Sequence, residues 1–453
     1  MGDSRLVEKL LELVRRNFSA SSARVILFIF ACLIAVGTVL LMLPFASVGP
    51  GSASLLDALF TATSATCVTG LVVRDTATFW TPFGKAVILI LIQLGGLGVL
   101  TSVFFMRQLA DRGRSIARRN VIREAIAAPQ IGGIDKLTQF ILRVVIACEV
   151  AGAVLCLPVF VPEYGPFSGV LKSVFHSVSS FCNAGFDVLE GHGEFASLTG
   201  YHANGYLLVV TAALVFMGGI GFITWDDVRA HGTKWRRYSL QTKLVLTGTA
   251  ALVIIPFALF ALVEFADLPV GERLLAAFFS SITPRTAGFA SIDYADMSES
   301  GLLLTTMLML TGGSSGSTAG GIKVTTLMVV LAAALAVIRR RKETTAFRRR
   351  IEPETVQKAL GFFVVYVALL FVGSMVMSLL EQLPVVDTMF ECASALATVG
   401  LTTGITPTLG AASKLLLIGF MYFGRIGGMT MAYALARPYA RQGTFPSEPV
   451  NVG

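Results

Sequence analysis

The residues best suited to chemistry in this chain lie in four glycine-centred segments, each at the end of a short apolar stretch. Because glycine adopts backbone angles that other residues avoid, successive carbonyls beside it can point to one side and act as ligands of a cation. The segments recur at intervals of 103 to 115 residues and predict a fourfold ring of ligands. They are Val68-Thr69-Gly70, Asn183-Ala184-Gly185, Thr286-Ala287-Gly288 and Thr398-Val399-Gly400.

A glycine after a helix is also a common C-terminal cap, and each segment taken alone has that simpler explanation. Recurrence at nearly constant spacing favours a shared role and indicates four similar units. The segments offer carbonyls and small side chains without a carboxylate ring, which suits a dehydrated monovalent cation better than a divalent one. The six cysteines have no CxxC spacing and only four histidines occur, so we expect no transition-metal site. No catalytic constellation is found, and we expect no enzyme.

Composition places these segments in a membrane. Of the 453 residues, 54% are hydrophobic and 14% charged, and the mean hydropathy of +0.74 is typical of an integral membrane protein. The net charge of +8 does not require a nucleic acid, because the basic residues adjoin apolar spans and membrane topology accounts for them. Such basic loops can also contact anionic lipid or a cytoplasmic partner.

The sequence predicts an all-α polytopic membrane protein with four parallel units of span, short pore helix, filter loop and span around a pseudo-fourfold central pore. Residues 1–24 form a basic cytoplasmic segment, and the units cover 25–106, 107–228, 229–338 and 339–453, with cytoplasmic loops opening the second and fourth. The eight predicted spans are 25–45, 84–105, 140–161, 206–225, 244–265, 302–338, 359–380 and 415–435. The short helices are 55–65, 168–181, 272–282 and 386–397, too short to cross ~30 Å of hydrocarbon.

Charge asymmetry orients these units. The arginine clusters fall between units, whereas the loops around the short helices carry acidic residues such as Asp75, Asp187 and Asp293. The positive-inside rule therefore places both termini in the cytoplasm and the filter loops outside. Irregular backbone at membrane depth is tolerated only beside protein or a water-filled cavity, so four re-entrant loops predict a central pathway.

With these motifs the chain resembles the Trk/Ktr/HKT superfamily of potassium transporters, closest to the bacterial Ktr-type membrane subunit. The resemblance rests on Cys67-Val68-Thr69-Gly70-Leu71, Asn183-Ala184-Gly185-Phe186, Arg285-Thr286-Ala287-Gly288-Phe289 and Thr398-Val399-Gly400-Leu401. It implies channel-like, potassium-selective uptake across the cell membrane, with potassium as the substrate, sodium as a candidate activator and no covalently bound cofactor. Potassium-selective members have glycine in all four filters, and sodium-selective plant relatives have serine in the first, so Gly70 supports potassium.

A glycine-rich stretch interrupts the predicted span 302–338. Five glycines inside one helix would carry a substantial propensity loss, so we expect an irregular loop at membrane depth. A flexible kink between packed helices is the simpler alternative, and the resemblance implies a gating loop beneath the filter, with Lys323 at its cytoplasmic end. The predicted gating residues are Gly312, Gly313, Ser314, Ser315, Gly316, Ser317, Thr318, Gly320, Gly321, Lys323 and Arg425.

Arg425 lies midway along the predicted final span, where an arginine costs ~2.5–3.5 kcal/mol on insertion scales. It must face a cavity or a partner. It could pair with a buried acid such as Glu149 or bind backbone carbonyls structurally, whereas the resemblance implies a positive barrier below the filter. Arg285, directly before Thr286, is expected to brace the filter from behind.

The resemblance also implies a homodimer and a cytoplasmic, nucleotide-binding regulatory ring of the KtrA type. The ring would dock on the basic loops 107–123, 229–243 and 339–350, although these loops could serve only to set topology. An alternative function is an ion-coupled secondary transporter of a small organic solute. Such folds usually contain inverted repeats, whereas here the charge asymmetry has the same sign in every unit.

Overall fold

The computed structural model describes residues 22–49, 51–98, 134–427 and 448, and nearly all of its regular structure is helical. The first unit contains α1 (Ser22–Leu41), α2 (Leu55–Cys67), α3 (Thr76–Phe79) and α4 (Pro82–Gly96). The second contains α5 (Ile134–Tyr164), α6 (Pro166–Cys182), α7 (Gly205–Gly219) and α8 (Phe222–His231).

The remaining helices fall within the third and fourth predicted units. The third contains α9 (Leu240–Leu259), extended by a π turn at Phe260–Glu264, then α10 (Val270–Ile282), α11 (Glu299–Leu310) and α12 (Val324–Ile338). The fourth contains α13 (Pro353–Glu381), α14 (Val385–Ala397) and α15 (Ala411–Ile426). Between these units β1 (Thr345–Ala346) and β2 (Arg349–Arg350) form an antiparallel hairpin. Single 3-10 turns occur at Thr199–Tyr201, Trp235–Arg237 and Thr406–Thr408.

The long membrane-crossing helices are the first helices of the units. In the described part of the chain, four segments are long and apolar enough to span a membrane, namely Arg24–Leu41, Thr138–Tyr164, Leu240–Glu264 and Pro353–Glu381. The helices that follow the short ones are less extended in the described residues: α4, α11 and α12 are apolar helices of 10–17 residues, and α7 and α8 meet at a bend. Of the eight predicted spans, four correspond to these long helices and two, 206–225 and 302–338, are interrupted; the spans 84–105 and 415–435 continue beyond the described residues.

The predicted continuous span 206–225 is wrong, because the structure breaks it after α7. The axes of α7 and α8 differ by 91°. Gly221 lies between them with φ +94°, a left-handed conformation that a helix interior does not contain. The run Gly218-Gly219-Ile220-Gly221 was the available signal, and the high apolar content around it concealed the break.

The four short helices α2, α6, α10 and α14 lie inside the protein, whereas the long helices present apolar side chains outward. Phe60 and Phe390, on α2 and α14, are fully buried, while Val150 on α5 and Val364 on α13 are 58% and 63% exposed. Exposed valines on long apolar helices fit contact with lipid. The fold therefore places the four glycine segments inside a shell of apolar helices.

Several predictions from the sequence lie outside the described residues. These are the basic segment at positions 1–21, the loop 107–123, the ends of the spans 84–105 and 415–435, and nearly all of the tail that follows.

Candidate functional site

The structure brings the four glycine segments together, each beside the next in chain order. A methyl group added at Gly70 would lie 3.0 Å from Cα of Gly185, and one at Gly185 would lie 2.9 Å from Cα of Gly288. One at Gly288 would lie 3.2 Å from Cα of Gly400, and one at Gly400 would lie 3.0 Å from Cα of Gly70. The neighbours form a closed cycle in which backbones approach too closely for any side chain.

The backbone has the same unusual conformation in all four segments. Two residues before each glycine stands a residue in the left-handed helical region, which side chains other than those of Asn and Asp rarely adopt. These residues and their φ angles are Val68 (57°), Asn183 (58°), Thr286 (68°) and Thr398 (53°). The glycines that follow also have positive φ, from 66° to 98°. Val68, Asn183 and Thr398 directly cap their short helices, whereas Thr286 follows the end of α10 at Ile282 by four residues.

Hydroxyls in the last turns of the short helices hold the segments in place. The Oγ of Ser64 accepts a hydrogen bond from the Gly70 amide at 3.1 Å, and that of Ser394 accepts from the Gly400 amide at 3.0 Å. In the other two units the hydroxyl donates to the carbonyl of the residue after the glycine. Ser179 donates to the Phe186 carbonyl and Thr283 to the Phe289 carbonyl, both at 2.6 Å. The sequence carried a signal for this arrangement, because serine stands six residues before the glycine in three units.

Three threonine hydroxyls within the segments are left without a partner. Among the described residues, Oγ1 of Thr69, Thr286 and Thr398 is buried and makes no hydrogen bond. A buried polar atom left unsatisfied costs about 1–3 kcal/mol. These oxygens suit a site that offers neutral oxygen ligands to a cation.

An acidic cavity of about 440 Å³ opens above the glycine cycle. All four glycines line it, together with the carboxylates Asp75, Asp187, Glu194 and Asp293. Like charges around a recessed site raise the local concentration of cations. In the sequence, these acidic residues indicated only the orientation of the loops. The structure shows that they line one cavity.

Asp187, two residues after Gly185, has a raised pKa. Burial and the nearby Asp75 carboxylate raise its pKa from 3.8 to about 6, although the Leu189 amide and Lys172 oppose the shift. As external pH falls through about 6, the cavity loses one negative charge. We expect cation affinity at this cavity to fall about two- to fivefold on acidification to about pH 5, and Asp187→Asn to abolish the fall.

The matched control is Asp296→Asn, since Asp296 lines a neighbouring surface cleft and not the glycine cavity. Rubidium uptake by liposomes over a range of external pH would measure both variants. An unaltered pH profile in Asp187→Asn would contradict the assignment.

Glu391 is a buried carboxylate that sequence reasoning missed. It lies on α14 with no exposed surface, accepts from the Thr403 amide at 3.2 Å and from the Thr406 hydroxyl at 2.7 Å, and also accepts from the Thr402 hydroxyl. It thereby fixes the chain just after Gly400. A carboxylate in the middle of a short apolar helix was the available signal.

The predicted interruption of the span 302–338 is confirmed, since α11 ends at Leu310 and α12 begins at Val324. The intervening loop binds the break between α7 and α8. The Ser314 amide donates to the Gly219 carbonyl at 2.9 Å, and the Phe222 amide donates to the Gly316 carbonyl at 2.9 Å. These bonds satisfy backbone groups that neither broken helix can satisfy alone. The loop between α11 and α12 and the break between α7 and α8 are therefore joined by hydrogen bonds.

The loop lies directly against the filter segments. A methyl group on Gly312 would lie 3.0 Å from Cγ2 of Thr286, and one on Gly320 would lie 3.1 Å from Cβ of Thr398. The Thr318 hydroxyl donates to the Phe181 carbonyl at 3.2 Å. The glycines therefore permit close approach as well as irregular backbone.

The remaining predicted loop residues make contacts within or beside the loop. Ser317 donates to the Ser314 carbonyl at 2.7 Å, and the Ser315 hydroxyl lies 3.2 Å from that of Thr325. A methyl group on Gly313 would lie 2.6 Å from Cβ of Ala319, and one on Gly321 3.1 Å from Cβ of Ala397. Lys323 folds back, with Nζ 2.6 Å from the Ala319 carbonyl.

Arg425 binds backbone carbonyls on two elements. Its guanidinium donates to the Thr318 carbonyl of the loop, and to the Gly95 and Gly96 carbonyls of α4 at 2.5 and 3.0 Å. The possible pairing with Glu149 is wrong: that carboxylate instead accepts from Nε2 of Gln93 at 3.2 Å. The carbonyl contacts that the other alternative expected are present.

Arg285 is buried and lies beside the third filter segment. Its guanidinium donates to the Thr249 hydroxyl on α9 at 3.2 Å. This contact ties the segment to the helix behind it, as expected.

Comparisons with known proteins identify the family of the chain. Residues 30–441 match the family described as TrkH, cation transport protein. The potassium/sodium uptake protein NtpJ of Enterococcus hirae is 41% identical over 415 residues, covering 90% of this chain and 91% of that protein. The Ktr system potassium uptake protein B of Bacillus subtilis is 38% identical and covers 94% and 95%. The crystal structure of the potassium transporter TrkH from Vibrio parahaemolyticus has a similar fold, with a TM-score of 0.71, 19% identity and coverage of 90% and 83%.

Proposed function

The chain belongs to the TrkH family of cation transport proteins, and from that membership we propose that it takes up potassium through a channel-like pathway ringed by the four glycine segments. The observation that carries the proposal is the closed cycle of neighbours formed by Gly70, Gly185, Gly288 and Gly400 beneath an acidic cavity. The relatives named as potassium or potassium/sodium uptake proteins support the choice of ion.

The chemistry follows from the oxygen atoms that the segments present. The carboxyl ends of four short helices precede the segments, and their partial negative charge favours a cation. Carbonyls of the segments, with the free hydroxyls of Thr69, Thr286 and Thr398 beside them, replace the hydration shell of a potassium ion. The acidic cavity gathers cations at the outer mouth, and the narrow cycle admits them after dehydration.

Below the filter, the loop between α11 and α12 acts as the gate and Arg425 as its positive barrier. The loop packs against Thr286 and Thr398, and the Arg425 guanidinium connects the Thr318 carbonyl of the loop to the end of α4. A cation leaving the filter would meet both the loop and the guanidinium. Opening then requires the loop and Arg425 to move aside together.

Purified protein in liposomes tests the activity directly. Rubidium or potassium should enter the liposomes down their concentration gradient, and sodium should compete only weakly with them. Whether sodium also activates the flux is measured in a separate experiment with and without sodium. Absence of ion flux together with uptake of an organic solute would replace the proposal with the alternative of a secondary transporter.

The protein acts in the cell membrane, with both termini in the cytoplasm, as a homodimer controlled by a nucleotide-binding ring of the KtrA type. The name of the Bacillus subtilis relative, a protein B of a Ktr system, supports a multi-subunit assembly. The basic loops 229–243 and 339–350 would hold the ring, together with 107–123 outside the described residues. Neutralising these loops should remove the effect of added ring on liposome flux; an undiminished effect would exclude this docking surface.

A further inference from the structure

An apolar groove of about 270 Å³ lies where the third unit meets the basic loop that follows it. Its floor is Leu244 of α9, and its wall is formed by Met328, Leu331 and Leu335 of α12. Leu331 and Leu335 are 47% and 49% exposed. Exposed leucines on an apolar helix that ends at Ile338 place the groove at the edge of the hydrocarbon layer.

The rim of the groove at the C-terminal end of α12 is basic. Arg339, Arg341 and Thr345 line it, beside Ala346 and Phe347 of the hairpin. The segment 339–350 contains six arginines, one lysine and a single acid, Glu343. That acid pairs with Arg350 at 3.0 Å, on the far strand of the hairpin. The positive charges of Arg339 and Arg341 at the rim therefore have no acidic partner in this segment, and they lie next to the apolar walls of the groove.

Aromatic rings mark the same level. Phe347 is 41% exposed and packs edge-on against Trp235, with ring centroids 6.2 Å apart. Tryptophan is enriched at the headgroup level of membranes, where its ring meets both polar and apolar surroundings. The groove thus combines three features at one depth: apolar walls, an aromatic boundary and arginines with hydrogen-bond donors.

We propose that this groove binds an anionic phospholipid of the cytoplasmic leaflet, with an acyl chain against Leu331 and Leu335 and the headgroup phosphate at Arg339 and Arg341. Arginine presents a planar fork of donors that matches phosphate geometry. The Thr345 hydroxyl accepts a hydrogen bond from Nη1 of Arg341 at 3.4 Å and can donate its own hydrogen to the phosphate. A soluble phosphate would leave the leucines uncovered, and a second copy of this chain would oppose arginine to arginine at this rim.

Because the site lies at the end of the helix that begins where the gating loop ends, lipid occupancy would restrain α12 at its cytoplasmic end. The lipid proposal does not depend on the identity of the transported ion, and lipid binding can be measured without transport. Failure of the two proposals is therefore distinguishable.

Native mass spectrometry of the full chain, supplied with phosphatidylglycerol or phosphatidylcholine of identical acyl composition, tests the proposal. We expect retained phosphatidylglycerol to exceed phosphatidylcholine, and the double variant Arg339→Gln, Arg341→Gln to bind phosphatidylglycerol roughly 10- to 30-fold more weakly. The control, Arg348→Gln with Arg349→Gln, removes the same charge from the same loop without touching the groove, and should weaken binding less than threefold.

A groove-filling variant separates the acyl chain from the headgroup. Ala332→Leu narrows the groove and should reduce retention of both lipids while leaving the arginines intact. Equal loss in the two double variants, no preference for phosphatidylglycerol, or displacement by soluble glycerol phosphate at equal concentration would each overturn the proposal. If phosphatidylglycerol is retained by the monomer and lost when the chain dimerises, a second copy of the chain occupies the groove, and this result would also overturn the proposal.

Discussion

Gly70→Ser is expected to lower the preference for potassium over sodium by at least about tenfold. A side chain at Gly70 would begin 2.5 Å from the Ala184 carbonyl oxygen, which belongs to the neighbouring filter segment. Either that carbonyl moves or Gly70 leaves its φ of +94°, and each alternative costs ~1–3 kcal/mol. A cost of ~1.4 kcal/mol corresponds to a tenfold change in an equilibrium constant. Competition between rubidium and sodium in liposome flux measures the change.

The same result is expected at the other three glycines, because each would direct a side chain at the carbonyl preceding the next glycine. The carbonyls concerned belong to Ala287, Val399 and Thr69 for Gly185, Gly288 and Gly400. This shared geometry explains why one ring needs glycine at four positions.

Gly404→Ser is the matched control. Gly404 also has a positive φ, of 88°, but a side chain there would meet nothing within 4 Å. It therefore carries the backbone strain without the crowding. Loss of selectivity equal to that of Gly400→Ser would show that strain alone is responsible, and unchanged selectivity in all four filter variants would exclude the ring.

Arg425→Ala is expected to raise basal potassium flux on the order of tenfold and to weaken its dependence on a regulator. The substitution removes hydrogen bonds to the Thr318, Gly95 and Gly96 carbonyls, each a charge-assisted bond of about 1.5–3 kcal/mol. It also removes the positive charge that a cation would meet below the filter. Loss of only ~1.4 kcal/mol from the closed state gives the tenfold change. Liposome flux with and without the regulatory ring measures it.

Arg425→Lys and Thr318→Ala distinguish a barrier from a structural brace. Lysine keeps the charge but cannot donate in a fork to two elements, so a barrier role predicts low basal flux in Arg425→Lys. Thr318→Ala removes the hydroxyl bond to Phe181 and keeps the carbonyl that Arg425 binds, so it should leave the charge effect intact. A well-folded Arg425→Ala protein with wild-type flux and regulation would locate the gate elsewhere. Shortening of the glycine-rich loop is a poorer test, because the loop also holds the α7–α8 break.

Local features of the sequence determined the positions of the four glycine segments, the interruption after Leu310 and the need of Arg425 for polar partners. Each is visible because it breaks a local rule: a glycine at the end of an apolar stretch, five glycines inside a span, an arginine in lipid. Family membership followed from the same motifs, because they recur along nearly the whole chain.

Only the tertiary structure decided which groups meet. The closed cycle joins Gly400 to Gly70, and Arg425 reaches Gly95, across more than 300 residues. Its partners are backbone carbonyls, which every residue has and no sequence pattern marks. The same holds for the break at Gly221, which the apolar composition of its helix concealed, and for Glu391, whose carboxylate is satisfied by three donors brought beside it by the turn after Gly400. The sequence therefore identified residues that are unfavourable in their local context, such as Arg425 in an apolar span. The fold supplied the hydrogen-bond partners, which are distant in sequence, that stabilise them.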